Sequence, residues 1–335
     1  MKPFSRKLSV IIPNWNGMKY LPACLDALNS QTYNDFDVIL VDNGSADQSV
    51  AYVKQNYPLV KVHAFPVNKG FAAACNAGVS ESGAQYIALL NTDTKPHPDW
   101  IRSLVSAIDA ASPQVACLAS KMLKMSQPDL IDDAGDILTW RGGAFKRGHG
   151  QPATKYNKQE EVFAPCAGAA LYRRSVMNEI GGFDETFFAY LEDIDLGLRI
   201  RLAGYRCLFV PTAQVLHIGH GSAIPHECYI FLVARNRIFI FLKNIPCILI
   251  VKHLASLIYG WLFYFLAFSF SRTYLKGTLA SLKYMLLMLK KRKRIRKHTR
   301  LSLDAIDCAL SQDWPEISLG QLSCQWLRHF VRHKK

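Results

Sequence analysis

Ile87-Ala88-Leu89-Leu90-Asn91-Thr92-Asp93-Thr94 is the stretch that decides how this chain is read. A short apolar run stops abruptly at oxygen-bearing side chains, the pattern of a buried strand that ends at a site. Asn91 and Asp93 are two residues apart. If the strand continues through them, their side chains share a face. An amide oxygen beside a carboxylate is a hard, oxygen-rich half-site of the kind Mg²⁺ or Mn²⁺ takes, with water and phosphate oxygens completing the shell. The alternative is an ordinary turn after a core strand, because Asn, Asp and Thr all form turns.

The chain upstream of this stretch alternates strand and helix signals. Leu8–Pro13 reads as a first buried strand and Tyr20–Gln31 as a helix with Leu21, Leu25 and Leu28 on one stripe. Phe36–Val41 is a second strand, followed by a helix from about Asp47 to Tyr57. Val60–Phe65 is a third strand, Ala72–Ser80 a small-residue helix and Tyr86–Leu90 the fourth strand. This pitch means βαβ units and a parallel sheet. Ligands of such sheets bind beyond the carboxyl ends of the strands. The rule puts Pro13-Asn14, Asn16, Asp42, Asn68-Lys69-Gly70 and Asn91-Thr92-Asp93 at one mouth. Asp42 there either accepts hydrogen bonds from a ribose or a base, or caps the helix that follows. No GxGxxG follows the first strand and no GxxxxGK[ST] occurs anywhere. These absences argue against a dehydrogenase and a P-loop ATPase.

Ser9–Asn16, Val41–Asp47, Asn68–Phe71 with Asn76-Ala77-Gly78, and Leu90–Asp93 together resemble the family 2 glycosyltransferases. The resemblance continues through Gly181–Asp184, Phe188–Leu196 and Arg199–Tyr205, and covers roughly residues 8–245. It implies an inverting enzyme with a GT-A fold: a Rossmann-like, mostly parallel sheet flanked by helices. The Asn14-Trp15-Asn16 start and the Tyr190–Asp193 block are most similar to the rhamnosyltransferase-type branch, which builds surface polysaccharides. By the same resemblance, Asp42 meets the nucleotide base, and Asn68–Gly70 lies by the nucleotide and its diphosphate. Asn91-Thr92-Asp93 stands where the family has its DxD metal motif. Asp93 matches the more direct metal ligand, while Asn91 replaces a carboxylate by an amide and leaves one fewer negative charge.

Glu192-Asp193 matches the family's ED motif. Inverting transfer needs one base for the acceptor hydroxyl, and the resemblance gives that role to Asp193, with Glu192 holding the acceptor or tuning Asp193. The structural alternative is that Glu192, Asp193 and Asp195 complement a helix N-terminus. On a helix, Glu192 and Asp195 share a face. His217, after a strand-like Cys207–Val210, is either a further metal ligand or a loop-ordering imidazole, with His220 as a second choice. Ala164–Arg173 resembles the family's small-residue strand beneath the acceptor site; Arg173 and Arg174 either touch phosphate or face solvent. Gln127–Glu161 reads as a loop or flap.

Charge divides the chain. Residues 1–230 hold 21 Lys+Arg and 22 Asp+Glu, whereas residues 231–335 hold 19 and 4. A near-neutral body therefore carries a basic last third, aimed at an anionic partner. The nine cysteines show no CxxC or Cys/His metal spacing and fit reduced thiols. No signal-peptide pattern follows Met1, so the expected location is the cytoplasmic face of a membrane, peripheral or monotopic. Leu254–Phe270 is uncharged and apolar, but short of the roughly 20 residues a span requires. It is an in-plane helix, a span or a buried helix. Leu275–Leu289 is partly amphipathic, and Lys290–Lys297 forms a basic cluster suited to anionic lipid headgroups. No zinc finger, RNP motif or helix-turn-helix accompanies that cluster, which weighs against nucleic acid.

The resulting expectation is a glycosyltransferase domain over residues 1–228, a membrane-associating helical region over 229–300 and a tail over 301–335. The donor would be a dTDP-, UDP- or GDP-linked sugar, with rhamnose implied by the resemblance, and the acceptor a lipid-linked saccharide. The rivals are a nucleotidyltransferase, which needs a glycine-rich basic loop that Asn14–Gly17 does not supply, and a membrane-bound scaffold that has lost its metal, motivated by Asn91.

Overall fold

A computed structural model of the chain describes residues 6–219, 224–314, 316 and 321. His220 and Trp326 lie outside them. The chain falls into two compact units, Met1–Asp136 with Lys146–Ala223, and Ile137–Phe145 with Ile224–Lys335.

The first unit is built on one mixed sheet. Its strands are β1 Leu8–Asn14, β2 Phe36–Asn43, β3 Lys61–Phe65, β4 Tyr86–Leu90, β5 Thr94–Pro96, β6 Val115–Lys124 and β7 Gln127–Asp133. Then come β10 Glu160–Val162, β11 Ala169–Arg173 and β12 Arg206–His217; β8 Asp136–Leu138 and β9 Ala144–Lys146 form a separate two-stranded pair that lies mostly in the second unit. The helices are α1 Leu21–Asn29, α2 Ser49–Asn56, α3 Phe71–Glu81, α4 Trp100–Ala110, α5 Arg174–Ile180 and α6 Glu192–Leu202. The sheet order is β10-β12-β6-β11-β4-β1-β2-β3, with β5 on β12 and β7 on β6. Strands β3, β2, β1 and β4 are parallel, and β11 runs antiparallel between β4 and β6.

The period-2 pattern of β1 explains the two-sided core. Leu8, Val10 and Ile12 pack with α1 and α4 through Leu21, Leu25, Trp100 and Leu104. Ile11 faces the other way, into a cluster with Ala72, Ala74 and Cys75 of α3. Close approach of α3 to the sheet depends on Gly78, where a Cβ would sit 2.4 Å from Ile11 Cγ2. The fourth strand ends at Leu90, so Asn91–Asp93 is a turn and not a continuation of the strand. The expectation of a shared strand face for Asn91 and Asp93 is thereby corrected.

Gln127–Glu161 is also not the loop the composition predicts. It contains β7, β8, β9 and the start of β10, and Asp132, Asp133 and Asp136 are buried in it. Polar residues give it a loop-like sequence, but several of their side chains find partners inside the fold, Asp132 with Lys146 and His217 and Arg147 with Glu160. Arg173 and Arg174 meet neither phosphate nor open solvent. Arg173 donates to the carbonyls of Val115 and Ile108, and Arg174 to that of Ala84. Both work as backbone clamps. The twelve-residue β12 passes through Pro211 by a register shift between Val210 and Gln214, and so carries His217 to its end.

The second unit is helical, with α7 His226–Asn244, α8 Cys247–Lys252, α9 Leu254–Ala267, α10 Arg272–Lys283, α11 Met285–His298 and α12 Leu303–Ala309. The segment Ile137–Phe145 belongs to it: Trp140 stacks on His253 at 3.9 Å between ring centroids and donates to the Asp307 carbonyl. The expected amphipathic run Leu275–Leu289 is broken at Tyr284, where α10 ends and α11 begins. No helix among the described residues is long and apolar enough to cross a membrane.

Candidate active site

The carboxyl ends of β1 and β2 are tied together by side chains. Asn14 Nδ2 donates to Asp42 Oδ1 at 2.8 Å and to Ser49 Oγ at 2.9 Å. Asp42 Oδ2 accepts from the Ser45 amide, so Asp42 orders its own turn and does not cap α2. Asn16, at φ 52°, accepts from the Ala46 amide and donates its own amide to Ser45 Oγ. Asn43 bonds Asn68 Oδ1 and accepts from the Lys69 amide, while the Gly70 amide donates to Asn68 Oδ1. Gly70 has φ +92°, and a Cβ there would lie 2.5 Å from the Phe188 carbonyl oxygen. Only glycine fits. The Lys69 side chain is exposed and lies over the Phe65 ring. Thr92 approaches Gly17, where a Cβ would meet its Oγ1 at 3.2 Å and Asn14 Oδ1 at 2.3 Å. Pro13 pairs in register with Val41, just inside this rim.

The turn after β4 sends its two polar residues to different neighbours. The Asn91 amide nitrogen bonds the Gly168 carbonyl, and its side chain lies against Gly168. Asp93 instead meets His217, with Oδ2 3.3 Å from Nε2. Pairing of β5 with β12, Thr94 opposite His217, brings the two together. The far nitrogen of that imidazole, Nδ1, is 2.7 Å from Asp132 Oδ2, which Lys146 Nζ also approaches at 2.7 Å. Burial disfavours a charged ring at His217, but the carboxylates of Asp132 and Asp93 outweigh it and its pKa is pushed up to about 9. Burial likewise works against ionisation of Asp132, yet His217 and Lys146 hold it well below the usual carboxylate range.

These residues fit a divalent cation. Cis ligands on an octahedral ion at 2.0–2.2 Å lie about 3 Å apart, close to the spacing of Asp93 Oδ2 and His217 Nε2. A ligating imidazole also commonly has its other nitrogen held by a carboxylate, the part Asp132 plays here. A second group of facing atoms, on Asp133, Asp136 and Cys166, lies nearby in the chain. The Asp133 carboxyl is pushed up to about 6 by burial, and Asp136 rises through burial and the Asp133 charge.

Glu192 and Asp193 open α6, preceded by three non-glycine residues with positive φ: Phe188, Tyr190 and Leu191, each at 67°. Backbone strain of this sort collects at functional sites, and the sequence gives no sign of it. Asp193 Oδ2 accepts from the Ala167 amide at 3.3 Å, one residue from the Gly168 that bonds Asn91. Asp193 is half-buried, and burial raises its pKa. Glu192 is more deeply buried, and its Oε2 has no hydrogen-bond partner among the described residues. Burial, then the Asp193 charge, pushes its carboxyl well up. The two are therefore unlike: a Glu192 whose protonated form burial favours, beside an Asp193 that keeps two amide donors. Asp195 does not share their task. It is fully buried in an ion pair with Arg199, 2.9 Å away, whose remaining nitrogens bond the Ile180 and Gly182 carbonyls.

The sequence reading missed Asp132, Lys146, Asp133 and Asp136. Their signal was a cluster of aspartates in a segment dismissed as a loop. Two residues of the recognised motifs prove to be structural: Asn76 bonds both the amide and the carbonyl of Phe183, and Gly78 makes room for Ile11.

Comparison with known proteins agrees with this geometry. The "Glycosyl transferase family 2" profile matches residues 9–181. Over 265 residues the chain is 28% identical to N-acetylglucosaminyl-diphospho-decaprenol L-rhamnosyltransferase of Mycobacterium tuberculosis, covering 68% of this chain and 85% of that one. Among solved structures, S. aureus TarS 1–349 in complex with UDP aligns with TM-score 0.53 and 17% identity, over 93% of this chain and 94% of that one. GalNAc-T7 with UDP, GalNAc and Mn²⁺ aligns with TM-score 0.54 and 18% identity, over 72% of this chain and 51% of that one, so the match spans about half of GalNAc-T7. The sheet is that of the GT-A fold, and the chain belongs to glycosyl transferase family 2.

Proposed function

We propose that the protein is an inverting, metal-dependent glycosyltransferase that moves a sugar, rhamnose by its similarity to the mycobacterial enzyme, from a nucleotide-linked donor to a lipid-linked saccharide. It works at the cytoplasmic face of a membrane, as a peripheral or monotopic protein. The observation that carries the reading is the Asp93–His217 corner, held by Asp132, at the sheet edge that Asn91 shares through Gly168 with the Asp193 turn. The scaffold rival rests on loss of one acidic ligand at Asn91; in the proposed site His217 would supply a nitrogen donor, and the rival predicts no donor turnover with any metal. A dTDP-, UDP- or GDP-linked donor lies on the Asn14–Asp42 and Asn43–Asn68 rim, its base at Asp42.

Asp93 and His217 would hold Mg²⁺ or Mn²⁺, which, when bound, offsets the charge of the leaving diphosphate. The chain's own groups do the rest. Asp193 takes the acceptor hydroxyl proton as that oxygen forms its bond to the anomeric carbon and the bond to the diphosphate oxygen breaks. Glu192, whose protonated form burial favours, holds the acceptor by a hydrogen bond. Purified protein would be assayed with a panel of nucleotide sugars and membrane extract, with Mn²⁺, with Mg²⁺ and with chelator. Metal-dependent turnover of one donor, lost in Asp193→Asn, is the expected result. Turnover that ignores metal overturns the roles of Asp93 and His217, and no turnover of any donor overturns the transferase.

A further inference from the structure

The helical unit shows its apolar residues to solvent in a regular way. Ile248, Val251, Leu254, Ile258 and Leu262 are 64%, 72%, 49%, 51% and 42% exposed, at steps of three, three, four and four. Ile248 and Val251 lie on α8, and Leu254, Ile258 and Leu262 on one stripe of α9, the kind of stripe a soluble helix normally turns inward. Here the inward face of α9 is already taken. Gly260 lies against the Arg141 backbone, and Phe263 and Tyr264 are buried. The outward stripe is therefore surplus to the core of this unit.

Helix α11 has a matching outward face of different chemistry. Met288 and Arg292 point inward. Leu286, Lys290, Lys293 and Lys297, at steps of four, three and four, lie on the opposite side and are exposed. Arg292 ties α11 to the corner where α7 gives way to α8: its guanidinium bonds the Phe241 and Ile245 carbonyls and Cys247 Sγ, one residue before Ile248. This staple thus fixes α11 at the start of α8 and leaves its lysine face turned outward. Residues 284–298 contain no acidic side chain.

We infer that the α8–α9 stripe and the lysine face of α11 form one in-plane docking surface for an anionic lipid bilayer. The apolar stripe sinks into the acyl boundary while the lysines meet headgroup phosphates. Helix α9 has 14 residues, about 21 Å of helix at 1.5 Å per residue, against a hydrocarbon core of about 30 Å, so it lies in the interface and does not cross it. A second copy of the chain is the poorer occupant, since face-to-face pairing would oppose lysine with lysine. The inference specifies how the proposed transferase reaches a lipid-linked acceptor and rests on that reading only for its purpose; binding itself needs no substrate.

The test is cosedimentation of the full chain, without nucleotide sugar, with vesicles of 30% phosphatidylglycerol in phosphatidylcholine and with pure phosphatidylcholine. Wild type is expected to partition onto the anionic vesicles, and Val251→Glu/Ile258→Glu to lose about tenfold or more. Lys290→Gln/Lys293→Gln/Lys297→Gln should lose a similar factor together with most of the salt dependence. The second variant alters solvated amines alone and keeps the test valid should the first misfold by circular dichroism. Asp193→Asn should bind as wild type, so failed turnover and failed docking are separate results. Absence of wild-type binding to the anionic vesicles overturns the inference, as does a lysine variant that binds like wild type. So does lipid-free self-association that Val251→Glu/Ile258→Glu abolishes, which would make the stripe a dimer face.

Discussion

The rim at β1–β3 and the pocket at the start of α6 handle buried polar groups in opposite ways. On the rim, Asn14, Asp42, Asn43, Ser45 and Asn68 bond one another through a mesh of hydrogen bonds that leaves Asn14 Oδ1 without a partner among the described residues. At the start of α6 and along β7–β8, Glu192, Asp193, Asp133 and Asp136 are carboxyls without a cation of their own among the described residues, and burial raises the pKa of each. Such a mesh is rigid and presents fixed donors and acceptors to a ligand. Such a carboxyl holds its proton more tightly and is ready to exchange it. The proposed binding and proton-transfer roles thus fall on regions built by different rules.

Asp193→Asn is the largest break in this contrast. The amide keeps the shape but cannot accept the acceptor's proton. We expect kcat to fall by about 10²–10⁴ with donor affinity within a factor of about two. Steady-state kinetics with calorimetric titration of the nucleotide separates the two readouts. An equal loss in both would place Asp193 in donor binding and erase the distinction between the regions.

Arg199→Met tests whether the pocket stands on a structural base. It strands the fully buried Asp195 and frees the Ile180 and Gly182 carbonyls. A cost of about 3–5 kcal/mol in urea unfolding follows. Asp132→Asn acts at the metal corner without touching the cation. The His217 ring loses the carboxylate on Nδ1, and Mn²⁺ affinity should weaken by about 10–100-fold. Unchanged affinity, read by titration of nucleotide-bound protein, would mean that the His217 ring is held by its strand alone.

Metal-free protein offers a pH test of the same corner. The folded pKa of His217, about 9, lies above the unfolded value of about 6.5. A raised base contributes stability that is fully present below about 6.5 and is lost as pH climbs through about 9. The thermal midpoint should therefore decline between pH 7 and 10, and His217→Gln should flatten that decline. An equal decline in the variant would assign it to other groups.

Legibility followed chain distance. The strands β1 to β4 and the helices between them each carry their own periodicity, and their polar ends follow from the sheet rule, so they could be read locally. The Asp93–His217 contact could not: it depends on β5 pairing with β12 across more than a hundred residues. Asp132 and Lys146 were hidden for a second reason. Sequence composition shows that a residue is charged, and it does not show whether a partner waits for it inside the fold. Lys146 looked like loop solvation because its partner Asp132 sits on another strand. The positive φ values at Phe188, Tyr190 and Leu191 were invisible because none is glycine or asparagine. Their strain is imposed by packing, including the Phe188 carbonyl that receives the Ala72 amide.

The smallest expected effect sharpens the comparison within the pocket. Burial and the charge of Asp193 favour the protonated form of Glu192, which Gln mimics in charge and nearly in shape. Glu192→Gln should change kcat by less than about tenfold, where the same chemical change at Asp193 costs at least a hundred. The stability profile supplies an independent sign. A raised carboxyl pKa means that the unfolded chain releases its proton near 4.5 while the folded one does not, so folded stability falls as pH rises above that value. Glu192→Gln removes this slope, and its thermal midpoint should gain on wild type as pH rises above about 4.5. A hundredfold loss of kcat with no such gain would mean that Glu192 is ionised and is itself the base. Asp193, with its two backbone donors, would then be the residue that orients it.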